Sequence, residues 1–170
     1  MPLFNMEQLR RRLTPGQRLL GLDPGSKTIG VALSDVSLML ASPYRSLRRG
    51  KLIPNAQAIR GIAEKEGAGG LVVGLPLSMD GSAGPAAQAA RDWAHALSAE
   101  TGLPTALADE RLSSAAVNRV LIDEADMTRK RRAEVVDRMA AAYMLQAALD
   151  ASRPTGSAPA PISPAYTPGS

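Results

Sequence analysis

Residues 18–34 read RLLGLDPGSKTIGVALS. Two apolar runs stand on either side of Pro24-Gly25, and each has the length and composition of a β-strand: residues 18–23 and residues 28–34. Residues 38–47 supply a third such run. Connections this short leave no room for a crossover helix, so the three strands are expected to form an antiparallel meander. Asp23 closes the first strand beside a turn of small residues, where a large ligand could approach the backbone closely. Aspartate is also a common opener of Pro-Gly turns, and that purely structural role stands beside the functional one.

Downstream the pattern changes period. Residues 55–66 place Ile59, Ile62 and Ala63 on one helical face and stop at Gly67, while residues 70–75 form a continuous apolar run suited to a strand covered on both sides. A helix over residues 85–98, a strand over 105–109, a hydroxyl-capped helix over 113–121 and a long apolar helix over 132–149 follow. The expected architecture is α/β: a five-stranded mixed sheet, three antiparallel strands followed by two parallel ones, flanked by helices. Residues 18–150 form one domain in this reading. Residues 1–17 are an N-terminal extension with a short helix over 7–13 ahead of Pro15-Gly16. The last twenty residues hold five prolines, four serines and four alanines with a single charge, Arg153, and are expected to be a disordered tail.

Composition narrows the chemistry. The chain of 170 residues has no cysteine, which removes disulfides, thiolate zinc sites and cysteine nucleophiles together. Its one histidine, His95, lies with Trp93 in the alanine-rich helix, where packing or surface roles suit both better than ligation. Hydrolysis would have to use carboxylates, hydroxyls, lysine or hard cations. The net charge of +4 is modest, but its distribution is telling. Between Val36 and Ala63 the only charged residues are Arg45, Arg48, Arg49, Lys51 and Arg60, and a second basic run spans Arg129, Lys130, Arg131 and Arg132. Such runs can be solvated loops; they are also what a phosphate backbone requires. No apolar run is long enough for a signal peptide or a membrane span, so a cytoplasmic location is expected.

Three acidic positions stand out. Beside Asp23, Asp109-Glu110-Arg111 follows the last strand, and strand alternation should send Asp109 and Glu110 to opposite sides, so that one of the two joins Asp23. A helix-entry carboxylate or an ion pair with Arg111 is the structural alternative. Asp137 lies in the terminal helix among Ala133, Ala140, Ala141 and Met144, with Glu134 and Arg138 marking a polar strip nearby. Carboxylates brought together from distant parts of a chain suit magnesium or manganese, which prefer oxygen ligands and keep several waters. Paired ions of this kind hydrolyse phosphodiesters. Lys27 could contact a phosphate from its turn, and the stretch from Gly74 to Ser82 could line a phosphate path, although it lacks the ending of a Walker loop.

Taken together, Leu22-Asp23-Pro24-Gly25-Ser26-Lys27-Thr28-Ile29-Gly30, Gly74-Leu75-Pro76, Asp109-Glu110-Arg111-Leu112-Ser113-Ser114 and Val136-Asp137 with Ala140-Ala141 resemble the YqgF family. That family comprises RNase H-like pre-16S rRNA nucleases related to Holliday-junction resolvases. The resemblance runs from about Leu19 to Leu149 and implies an RNase H-like fold, a Mg2+- or Mn2+-dependent nuclease and a role in maturing the 5′ end of precursor 16S rRNA, with junction resolution in DNA as the alternative. The family's acids carry over onto Asp23, Glu110 and Asp137, as metal ligands and catalytic groups, with Asp109 a possible substitute for Glu110. Substrate-binding candidates are Lys27, Arg111, Ser113, Arg129, Lys130 and Arg131. Related resolvases carry a further acid shortly after the last one, where this chain has Ala140 and Ala141. The expected partner is nucleic acid, RNA before DNA, bound by a monomer or homodimer. Two other readings compete: an ATP-binding protein of the actin and sugar-kinase kind, for which the chain is short, and a nucleic-acid-binding module without chemistry.

Overall fold

The computed structural model describes residues 2–25, 27–76, 84–110 and 129–154, with residues 129–134 described through their backbone alone. The helix expected over 113–121 lies outside these residues, as does most of the tail.

The Pro24-Gly25 break closes a hairpin. β1 (Arg18–Pro24) pairs antiparallel with β2 (Thr28–Ser34), from Leu20 opposite Leu33 to Pro24 opposite Ile29. β2 pairs antiparallel in turn with β3 (Ala41–Arg48). This third strand starts three residues later than its apolar run. The Asp35 side chain accepts the N–H groups of Met39 and Leu40 at 2.8 and 3.0 Å, and Leu38 takes a φ of 58°. Those bonds hold residues 35–40 in a turn, and a left-handed residue cannot continue a strand.

Two parallel strands complete the sheet on the other side of β1. β4 (Ala68–Leu75) lies beside β1, and β5 (Thr105–Asp109) beside β4, giving the order β3-β2-β1-β4-β5. This is the mixed five-stranded sheet that the RNase H-like resemblance implies. The parallel crossovers run through α2 (Leu52–Glu66) and α3 (Pro85–Thr101). α2 begins three residues before its expected start because Pro54 falls in the first turn, where a missing N–H leaves no intrahelical bond unmade. Both helices end on a left-handed glycine, Gly67 and Gly102. α4 (Arg129–Ala151) is the long terminal helix.

Side-chain alternation along the strands divides the interior in two. Leu20, Leu22, Ile29, Val31, Leu71 and Val73 point to one face and pack against Ile59 and Ile62 of α2 and Leu97 of α3. Leu19, Ala32, Val72 and Ala106 point to the other face, against Ala141, Met144, Leu145 and Leu149 of α4. Burying both faces explains why β1 and β4 read as unbroken apolar runs. α1 (Met6–Arg12), opened by a capping box between Asn5 and Gln8, joins the second face through fully buried Leu9. Arg10 donates to the carbonyl of Leu149 and to the Ser152 hydroxyl, both at 2.9 Å, so the segment read as an extension is fastened to the end of α4. Among the described residues no helix is long and apolar enough to cross a membrane.

Candidate active site

The site forms where α4 lies across the hairpin, and glycines decide how close it comes. Gly21 of β1 meets Leu145: a Cβ there would stand 2.9 Å from the Leu145 Cβ. A Cβ on Gly30 of β2 would collide with the backbone carbonyl of Asp137 itself. These two positions share one face of the sheet, so the helix settles into a groove that only residues without side chains can form.

Asp23 is the direct cross-strand partner of Gly30 and is 3% exposed. Its carboxylate therefore points to the face on which α4 brings Asp137. The β1–β4 register runs to Leu22 opposite Val73, and one further step sets Gly74 beside Asp23 on the same face. A small residue thus flanks Asp23 on either side. The gap at Gly74 is used by Glu110: a Cβ on this glycine would stand 3.2 Å from the Glu110 Cγ and Oε1. At Gly25 a Cβ would stand 2.9 Å from the Asp137 Oδ2. The Thr28 hydroxyl donates to the same Asp137 oxygen, which orients the carboxylate from the start of β2.

Asp23, Glu110 and Asp137 line one cavity of about 370 Å³, together with Gly25, Gly74 and Pro76 and the exposed alanines Ala86 and Ala89 of α3. Asp109, one residue before Glu110, lines a different cavity with Asn5, Glu7 and Ala147. Of the two neighbouring acids, Glu110 is the one that shares a cavity with Asp23. The acids nevertheless do not form a ready-made cage: among the described residues no group of three or more Asp, Glu or His side chains is set to hold a metal ion unaided. The donors are all oxygens, spread around an open cleft with glycine-lined room between them. Mg2+ fits such a set better than a closed cage does, because it keeps several waters and takes one or two carboxylates together with substrate phosphates.

Other expected site residues are distributed unevenly. Lys27 is exposed at the hairpin turn and does not line the cavity. Arg111 and Ser113 lie outside the described residues, as do the side chains of Arg129, Lys130 and Arg131. Among the described charged residues that line the cavity, the sequence does not mark Arg49 as a site candidate; it lies just past β3, and its Nη1 donates to the Gly25 carbonyl at 2.7 Å. It sat within the basic run, and the signal that could have marked it was its position immediately after a strand antiparallel to the hairpin, at the Asp23 end of the sheet.

The family of RuvX Holliday junction resolvases matches residues 17–151. The chain belongs to this family. A protein of Gluconacetobacter diazotrophicus named "Putative pre-16S rRNA nuclease" is 72% identical over 152 residues, covering 89% of this chain and 99% of its own length. A protein of the same name from Gluconobacter oxydans is 69% identical, over 91% of this chain and 96% of its own. Rhodospirillum rubrum has one that is 55% identical over 89% of this chain and 94% of its own. The matched family region begins at Gln17 and so leaves out α1, which in this RuvX family member is nevertheless packed on the shared core.

Proposed function

We propose that this RuvX family member is a divalent-metal-dependent nuclease that hydrolyses phosphodiester bonds in precursor 16S rRNA. The observation that carries the reading is the single cavity lined by Asp23, Glu110 and Asp137, three acids from β1, the end of β5 and α4. The names of the close relatives supply the substrate, and both basic runs supply charge for a phosphate backbone. A cytoplasmic location follows from that substrate.

Each acid has a distinct part. Asp23 is buried at a fixed strand position and forms the floor of the cleft. Glu110 leaves the end of β5 and reaches over Gly74, which brings its carboxylate into the cavity that Asp23 lines. Asp137, half-buried on α4 and oriented by Thr28, contributes the third carboxylate. Mg2+ or Mn2+ bound among these oxygens would activate water and offset the charge of the phosphate. Without a cation, three carboxylates facing one cleft would repel a phosphodiester, which is why the acids support a metal-dependent reaction rather than direct acid–base hydrolysis.

A cleavage assay tests this. Precursor 16S rRNA, single-stranded RNA and a four-way DNA junction are incubated side by side with Mn2+ or with EDTA. Cleavage of the precursor near its 5′ end, dependent on the metal and lost in Asp23→Asn and Asp137→Asn, is the expected result. Preferential cutting of the junction would move the substrate to DNA, in line with the family description. Activity in the two variants equal to wild type would reject the site.

A further inference from the structure

We infer that Arg49 is a phosphate-binding residue of this cleft, a fixed cation set among the three acids to receive the backbone of the strand being cut. The inference rests on the nuclease reading and adds to it a residue outside the acidic set. Among the described lining residues of the cavity, Arg49 is the one basic side chain. A strand entering a cleft walled by carboxylates needs a positive group at the entry point, and a guanidinium binds phosphate oxygens in a paired geometry that an ammonium cannot reproduce.

Its placement is held from every side. The Arg49 N–H donates to the Lys27 carbonyl at 2.8 Å, joining the end of β3 to the hairpin turn. The neighbouring peptides are gripped by Asn55 of α2, which is 6% exposed. Its Oδ1 accepts from the Gly50 N–H at 2.8 Å, and its Nδ2 donates to the Arg48 carbonyl at 3.0 Å. The guanidinium then spends one donor on the Gly25 carbonyl and lies over the Trp93 ring of α3, 5.7 Å from its centroid. A guanidinium has five N–H donors, so a single carbonyl leaves most of its capacity for a ligand. A surface arginine that merely solvates a loop has no need of a buried asparagine to fix its backbone, nor of an aromatic platform. This one is pre-organised, which reduces the ordering cost of contact with substrate.

Trp93 is the chain's single tryptophan, so its fluorescence reports directly on the cation above it. The experiment titrates a short single-stranded RNA into the full-length protein with Ca2+ in place of Mn2+, following Trp93 emission and affinity across a range of salt, and separately measures cleavage with Mn2+. Wild type should show an emission change on binding that Arg49→Gln does not. Arg49→Gln should also lower the slope of log affinity against log salt by about 0.7, the share of one phosphate on a single strand. Its kcat/KM should fall by about a hundredfold, as expected for the loss of one pre-set donor to a reacting phosphate. Arg49→Lys, which keeps the charge, should restore the salt slope but only part of the cleavage. Arg49→Gln matching wild type in salt slope and emission, or losing only thermal stability, would overturn the assignment and leave the nuclease reading intact. Wild type that cleaves none of the substrates would remove both.

Discussion

Gly30→Ala tests whether the fit of α4 against the hairpin governs both stability and the site. The new Cβ would run into the carbonyl of Asp137, a backbone atom of a helix that cannot turn aside as a side chain could. Relief requires α4 to withdraw by ~1 Å, a gap that forfeits a quarter to a half of each dispersion contact along it. The contacts at stake are those of Ala141, Met144, Leu145 and Leu149, all fully or almost fully buried. Overpacking a closed core costs roughly 1–3 kcal/mol, and the rigidity of the obstacle places this substitution at about 3 kcal/mol. For a chain of this size that corresponds to a fall in Tm of about 6–12 °C. Urea unfolding followed by Trp93 fluorescence measures the loss, and cleavage measured well below the new Tm should also be depressed, since the shift carries Asp137 with it. Gly25→Ala separates the two effects. Its Cβ meets the Asp137 carboxylate at 2.9 Å and the Thr28 carbonyl at 3.0 Å but no backbone atom of α4, so it should lower activity at a smaller cost in stability than Gly30→Ala. A Gly30→Ala protein with wild-type midpoint and wild-type rate would refute the groove argument outright.

Two further outcomes follow from the same geometry. Glu110→Gln should abolish metal-dependent cleavage while Asp109→Asn leaves it within a few-fold of wild type, because the two side chains line separate cavities; rates measured at equal folded fraction decide this. Gly61→Ala should raise stability by about 0.5–1 kcal/mol, since Gly61 lies inside α2 with open space where the Cβ would go, and a denaturant midpoint below wild type would contradict it.

The hairpin, the antiparallel meander and the helical faces were legible in the sequence because each is written locally. Pro24-Gly25 interrupts one apolar run, Gly67 stops one helix, and strand residues alternate between two cores. Element ends were less legible. The start of β3 depends on hydrogen bonds from Asp35 that compete with strand pairing, and the start of α2 depends on a proline that a first turn tolerates. For the site, alternation predicted that Asp109 and Glu110 would part, but which of them meets Asp23 depends on the register of β5 beside β4, a tertiary fact. Arg49 was legible only as a member of a basic run, and its place in the cleft was not, for a related reason. Gly25, Asn55 and Trp93, which hold it or the backbone around it, lie in the hairpin turn, α2 and α3 and come together only when the sheet and its helices are assembled.

The order in which the acids occur along the chain has a consequence for synthesis. Asp23 and Glu110 emerge from the ribosome before Asp137, and Asp137 reaches them only once the final helix has settled into its groove of glycines. α1, made earlier, then fastens the far end of that helix through Arg10. Built this way, an unfinished chain still tethered to its ribosome holds two of the three carboxylates and lacks the helix that closes the cavity around them.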